Sequence, residues 1–345
     1  MARKRVIEPE PAEQETGGGN YFTSPKENMQ FITSGCKVLD LTLGGGWPVG
    51  RISNIVGDKS SGKTLLAIEA CANFGNTYEG PIWYRESEAA FDEDYAEALG
   101  MPIDKIDFIA DDQQFEAIED WYEDFEAELE AQENDTPGLY ILDSLDALSD
   151  RAELQRKIDE NTYGMTKQKK LGELFRKLVR IQERKNVHMM IVSQVRDNID
   201  AGSFGEKFRR SGGKSLDFYA SQSLWLSHMK TLKKQVRGVS RPYGIHVGAK
   251  CKKNKVSLPG RQCEFDVIFG FGIDDLGASV TFLEETKANK ELGLTQKELG
   301  DLRKGTMKLD AEEYQNWLDK VNPLVEEIWY EIDSQLLPNR SKYGG

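Results

Sequence analysis

At 345 residues with 39% hydrophobic content, the chain is long enough for one large globular domain and a smaller appendage. A formal charge of −13 excludes binding to nucleic acid by bulk attraction and leaves that task to local basic patches. No apolar run reaches the length of a membrane span, and the opening Met1 to Val6 lacks the apolar centre of a signal peptide, so a cytoplasmic protein without a membrane partner is expected.

Residues 1 to 30 are rich in Glu, Pro and Gly and predict a flexible N-terminal arm. Ordered structure is expected from Phe31, and from there apolar strand candidates alternate with helical stretches. The strand candidates are Arg51 to Val56, Gly80 to Arg85, Leu139 to Asp143, His188 to Gln194 and Ser223 to Ser227. Phe115, Ile118, Tyr122, Phe125 and Leu129 fall at spacings of three and four, which predicts an amphipathic helix with a solvated acidic face. A second long helix is expected over Lys167 to Lys185. Strands separated by helices imply an α/β fold with a mostly parallel, doubly wound sheet. Beyond Gly272 the pattern turns helical and polar, which predicts a small C-terminal subdomain over 273–345 after a core over 31–272. Within it, Asn322-Pro323 reads as an N-cap followed by Pro at the first helical position. The cysteines Cys36, Cys71, Cys251 and Cys263 show no C-x-x-C spacing and read as reduced core thiols. Three histidines argue against a histidine-based metal site.

The most specific signal is Gly57-Asp58-Lys59-Ser60-Ser61-Gly62-Lys63-Thr64, a complete G-x-x-x-x-G-K-[ST] phosphate loop. It follows an apolar strand candidate and precedes a helical run from Leu65, so consecutive backbone N–H groups and a helix N-terminus converge on one point. A nucleoside triphosphate fits there, with Lys63 on the β- and γ-phosphates and the Thr64 hydroxyl on Mg²⁺. Asp143, closing the apolar strand Leu139 to Asp143, is the candidate partner for the metal. Glu86 and Glu88 alternate along an extended stretch, and either can orient the attacking water. A Gly-rich segment over 196–214 carries Arg196, Lys207, Arg209, Arg210 and Lys214 with Phe204 and Phe208, a composition suited to single-stranded nucleic acid. A second basic run, Lys230 to Arg241, is an equally open candidate for a solvated hairpin or a DNA contact.

Several segments in order resemble the RecA-type DNA recombinase family across most of residues 32 to 273. They include Ile32-Thr33-Ser34-Gly35, Leu43 to Ile52, Ser60 to Thr64, Ser87 to Asp92, Met190 to Arg196, Ser211 to Ser221, Lys253-Asn254-Lys255 and Phe265 to Ile273. The resemblance implies a RecA-like ATPase core and ATP hydrolysis with Mg²⁺. It places the catalytic Glu at Glu88, a γ-phosphate-sensing Gln at Gln194, and an adenine-stacking ring at Tyr95, with Leu65 and Phe269 as further nucleotide contacts. Lys253 and Lys255 fall where the family reaches the neighbouring subunit's nucleotide. DNA contacts are implied at Lys157, Tyr163 and Met165 in a first loop, and at Arg196 through Arg210, Gly212 and Gly213 in a second. The resemblance further implies single- and double-stranded DNA as partners, and head-to-tail assembly into helical filaments that perform strand exchange.

Asp58-Lys59 replaces the family's usual Pro-Glu pair, and both termini depart from the bacterial pattern, as expected of a divergent, virus-encoded, UvsX-like member. Two alternatives remain at this level: a ring-forming helicase on the same fold, and an ATP-binding mediator with little turnover.

Overall fold

The computed structural model describes residues 29–88, 91–109, 114–132, 136–155, 165–197, 208–210, 213–338 and 342. In chain order its elements are β1 (Phe31–Ile32), α1 (Lys37–Leu43), β2 (Trp47–Pro48), β3 (Ile52–Gly57), α2 (Lys63–Thr77), β4 (Ile82–Glu86), α3 (Glu93–Ala98) and β5 (Ile106–Phe108). Next come α4 (Ile118–Ala131), β6 (Gly138–Asp143), α5 (Arg151–Leu154), α6 (Met165–Arg184), β7 (Val187–Asp197), β8 (Phe208–Arg210) and α7 (Gly213–Tyr219). The remainder is β9 (Gln222–Val236), β10 (Val239–Asn254), β11 (Gln262–Ile268), β12 (Gly272–Ile273), α8 (Asp275–Glu285), α9 (Gln296–Gly305) and α10 (Ala311–Gln335).

The main sheet runs in the order β12-β11-β10-β9-β3-β7-β6-β4-β5, with β8 paired to β7. The six strands from β9 to β5 along this order are parallel. The five expected strands are all among them, each an apolar run buried on both faces, as helix-covered parallel strands must be. The far side of the sheet, β10 to β12, is antiparallel.

Helices cover both faces. On one face α1, α2, α8 and the apolar stripe of α10 join a single hydrophobic cluster with Ile55, Ile141 and Val192. On the other, α4 and α6 pack Trp121, Phe125, Leu171 and Phe175 against Tyr140, Met189 and Ile191. Each fully buried large apolar side chain contributes about 1.5–3 kcal/mol, so these two layers fix the sheet as a rigid platform. The stripe on α4 differs from expectation at two positions: Phe115 precedes the helix and is only partly buried, and Trp121 is fully buried while Tyr122 is only partly so. The Tyr122 hydroxyl donates to Glu126 at 2.7 Å, which keeps its polar end in reach of water.

The reading of Asn322-Pro323 as a helix start is corrected. Pro323 lies inside α10, whose N-terminus is capped by Asp310 in a reciprocal box with Glu313. Asn322 instead accepts from Ser279 at 2.8 Å and donates to Asp275 at 3.2 Å, bonding α10 to α8.

Candidate nucleotide and nucleic-acid site

The parallel strands all deliver their C-terminal ends to one edge, where ligands of open α/β sheets bind. Register sets the chemistry level across that edge: Gly57 lies opposite Gln194 on one side and Leu226 on the other, and Glu86 lies opposite Asp143.

The phosphate loop leaves β3 at Gly57 and enters α2 at Lys63. Gly62 caps the helix at φ 90° with open space around its Cβ position, so it is the dihedral that calls for glycine there. At Gly57 the demand is proximity, since a Cβ would lie 2.3 Å from the Ser61 hydroxyl. Ser60, at φ 60°, turns the loop through the left-handed region. The Asp58 carbonyl then gathers three donors: the Ser61 N–H at 3.3 Å, its hydroxyl at 2.8 Å and the Lys63 ammonium at 2.8 Å. Asp58, Lys59 and Ser60 are exposed along the loop, whereas Leu65 turns its side chain into the core.

The acidic partners stand close. Thr64 Oγ1 donates to Asp143 Oδ2 at 2.8 Å, and the buried Tyr84 hydroxyl donates to the same oxygen at 3.0 Å. Burial pushes the Asp143 carboxyl upward, those two hydrogen bonds oppose the shift, and Glu88 and Glu86 add to it. Burial also lowers the Lys63 ammonium, opposed by Asp143, Glu88, Asp146 and Asp58. A hydroxyl and a carboxylate oxygen this close at a helix N-terminus are hard donors suited to Mg²⁺ beside a phosphate chain.

Glu88 is the carboxylate that reaches the centre. Its Oε1 accepts from the Ser144 hydroxyl at 2.5 Å and from Gln194 Nε2 at 2.9 Å. Glu86, the other candidate, turns its Oε1 to the Glu88 N–H at 2.8 Å and so shapes the turn. The structure thus brings Lys63, Thr64, Asp143, Glu88 and Gln194 together.

Tyr95 on α3 is half-buried beside Glu69 of α2. Glu69 accepts from the Ile273 N–H at 3.2 Å, which places the turn between β11 and β12, with its half-exposed Phe269, on the same flank.

Lys253 and Lys255 are not brought to this centre. Both donate to the Phe218 carbonyl at the end of α7, at 2.9 and 3.0 Å, and Lys253 also donates to the Asp217 carbonyl. They belong to the opposite end of the sheet, because Lys253 pairs with Ser223 at the start of β9 and the Lys255 N–H bonds the Ser221 carbonyl.

Of the expected nucleic-acid contacts, Lys157, Tyr163, Phe204, Lys207 and Gly212 lie outside the described residues. Met165 opens α6 and Gly213 opens α7. Arg196 lies opposite Arg209, and Phe208 and Arg210 pair with Asp197 and Val195, so β7 and β8 form an antiparallel pair that continues directly from Gln194.

Two features escaped the sequence reading. A groove of about 680 Å³ between α6 and α7 is lined by Gln168, Lys169, Gly172, Glu173, Arg176, Lys177 and Ser215, with Lys177 paired to Glu173 at 3.4 Å. Its cations recur at helical spacing on α6, but so do those of any solvated face, and only the neighbouring helix makes a groove of them. The second is the extent of the basic hairpin. The strands β9 and β10 turn at Arg237 and Gly238, both at positive φ, as the tight turn of a twisted hairpin requires. Residues 229–243 form an exposed ribbon carrying Lys230, Lys233, Lys234, Arg237 and Arg241, and no carboxylate side chain occurs between Asp217 and Glu264.

A phosphate loop on a central strand of a largely parallel sheet, with acids at the ends of β4 and β6, defines a phosphate-loop nucleotide-binding protein. The family model described as RecA N-terminal domain matches residues 16–274. Protein RecA of Trichodesmium erythraeum (strain IMS101) is 34% identical over 265 residues, covering 77% of this chain and 70% of that protein. Protein RecA of Arthrospira platensis is 33% identical over 270 residues, covering 78% and 70%, and that of Synechocystis sp. (strain ATCC 27184 / PCC 6803 / Kazusa) 33% over 257 residues, covering 74% and 69%. The chain belongs to the RecA family, and that membership supports a role in DNA recombination and repair with binding of ATP and DNA.

Proposed function

We propose that the protein is a DNA-dependent ATPase that assembles head to tail on single-stranded DNA and carries out homologous pairing and strand exchange with a duplex. The observation that carries this reading is Gln194: its side chain holds Glu88 in the nucleotide centre, and its own strand runs straight on into the basic pair β7–β8. One residue therefore touches both the hydrolytic group and the root of a nucleic-acid contact.

In this reading Thr64 and Asp143 hold Mg²⁺, which screens the phosphate charge when bound. Lys63 leaves the Asp58 carbonyl for the β- and γ-phosphates and offsets the charge that develops there. Glu88 orients the attacking water and takes its proton, with Ser144 fixing the carboxylate. Arrival of the γ-phosphate offers Gln194 Nε2 a competing acceptor, so the link to Glu88 reports nucleotide state. Tyr95 and Phe269 flank the base. Lys253 and Lys255 lie too far round the sheet to serve their own chain's nucleotide, which supports their serving a neighbour's across a repeated interface.

The first strand would pass Lys169 and Arg176 of the groove, whose Lys177 is paired with Glu173, together with Arg209 and Arg210, and the ribbon at Lys230 to Arg241 supplies a second cationic surface for the duplex. The domain division at 30 and 272 belongs to the same proposal, with the C-terminal helices buttressing α1 through Lys37 and Glu326 at 2.5 Å.

The test combines ATPase rate, electron microscopy and strand exchange with the purified protein and its Lys63→Ala variant. DNA-stimulated hydrolysis, open filaments with an ATP analogue, and loss of both hydrolysis and exchange in the variant are expected. A closed ring with unwinding activity, or a variant that hydrolyses at the parental rate, would overturn the reading.

A further inference from the structure

The turn after β6 carries more connections than holding Asp143 requires. Ser144 donates to Glu88, and the Leu145 N–H bonds the Val192 carbonyl at 3.1 Å. Asp146 Oδ2 accepts from the Gln194 N–H at 2.5 Å. On the other side Lys167, in the first turn of α6, donates to the Leu145 carbonyl at 3.3 Å and to the Leu148 carbonyl. One short turn thus joins the hydrolytic carboxylate, the end of β7 and the start of α6.

Asp146 is an unusual residue to find there. Its other oxygen, Oδ1, is buried without a hydrogen-bond donor among the described residues. Among the described residues that oxygen gains nothing from packing, since a buried carboxylate oxygen without a donor costs stability, so the described packing does not by itself explain an acid at this position. Its charge acts on the Lys63 ammonium, and its hydrogen bond from the Gln194 N–H fixes the backbone of the residue whose side chain holds Glu88. Gln194 is consequently held at two points by two carboxylates, the main chain by Asp146 and the side chain by Glu88. If the side chain moves to a phosphate, the main chain has a fixed point about which to turn.

We propose that the turn at 144–149 is the junction between the nucleotide centre and the two elements that carry the nucleic-acid contacts. Asp146 is the positioning residue toward β7, and Lys167 the positioning residue toward α6. This rests on the proposed DNA-dependent ATPase and assigns the coupling to residues that touch neither ligand. Mutual dependence of nucleotide and DNA binding then requires the turn to be intact.

Three variants separate the contributions. Asp146→Asn keeps an acceptor for the Gln194 N–H and loses the charge, Asp146→Ala loses both, and Lys167→Met keeps the stem and loses the donor. Two quantities are read: amide hydrogen exchange across 192–197 without DNA, and the ratio of single-strand affinities with a non-hydrolysable ATP analogue and with ADP. The parent should show a ratio within the usual coupling range of about 5–150-fold, falling to about twofold or less in Asp146→Ala and reduced in Lys167→Met. Asp146→Asn should keep most of it, and the Gln194 amide should lose protection in the Ala variant alone. A parental ratio in Asp146→Ala overturns the inference, whether or not amide protection changes, as does parental protection of its Gln194 amide. A parent with no nucleotide dependence of DNA binding would instead remove the underlying functional reading, while the exchange measurement still decides whether Asp146 fixes Gln194.

Discussion

Glu69 shows how single residues on the phosphate-loop helix serve two ends. It faces away from the phosphates, under Tyr95 and against the turn at Gly272, where a Cβ would lie 2.4 Å from its Oε1. Burial raises its carboxyl to about 7, opposed by the Ile273 N–H and reinforced by Asp275. The folded chain therefore keeps a proton that the unfolded chain releases near the ordinary carboxylate value of 4.5. The associated stability is complete below that value and is lost as pH rises to about 7. Glu69→Gln, which stays neutral, should match the parent near pH 4 and exceed it above pH 7 by on the order of 2 kcal/mol. Thermal unfolding of both proteins across that range checks this, and a constant difference at every pH would contradict it. His188 works with the opposite sign: buried, with Nδ1 2.7 Å from the Pro48 carbonyl, it is held near 4 and opposes folding as pH falls.

Among the elements, β4 depends on a residue that its position disguised. Arg85 is almost fully buried and bonds Asp124 at 2.9 Å, Asp107 at 3.0 Å and Glu128 at 3.2 Å, and Tyr140 donates to the same Asp124 at 2.7 Å. This network ties β4 to α4 and β5 just before the strand ends at Glu86. Arg85→Ala should cost about 3 kcal/mol, because it leaves the part-buried Asp124 without a cation, and the Tyr140 hydroxyl and the half-exposed Asp107 moderate the loss. Arg85→Met with Asp124→Leu should recover much of it; urea midpoints at an unchanged denaturant slope are the measure. In the sequence Arg85 is merely the last residue of an apolar strand, since nothing local distinguishes a buried arginine from a solvated one. The parallel strands were legible because burial on both faces demands unbroken apolar runs. The ribbon of β9 and β10 was only partly so, because a strand exposed on both faces carries no apolar alternation. At the site, the loop and Asp143 were readable from local pattern. The hold of Asp146 on Gln194 was not, since it depends on two strands lying side by side.

At the scale of the molecule, Lys253 and Lys255 at one end of the sheet and Glu88 at the other make assembly testable by mixing. Subunits carrying Lys253→Ala and Lys255→Ala and subunits carrying Glu88→Gln should each be inactive alone in DNA-stimulated hydrolysis. Mixed filaments should regain up to about a quarter of parental activity, the share of interfaces that pair one intact half-site with the other if incorporation is random. Absence of any gain across mixing ratios, with co-assembly verified by fluorescence transfer, would return both lysines to their own subunit. The strand order also separates charge. The helix α4 packs on the β4–β6 side of the sheet and bears Glu119, Asp120, Glu123, Asp124, Glu126, Glu128 and Glu130, whereas the ribbon extends from β9 and β10 beyond the centre on the other side. Within a net charge of −13 the cations of the ribbon are thus set apart from the carboxylates of α4. A long polyanion should therefore meet the ribbon more readily than α4, so that encounter favours one facing of the molecule. Added salt should erase that preference over a Debye length of about 8 Å at physiological ionic strength, slowing encounter more than it speeds departure.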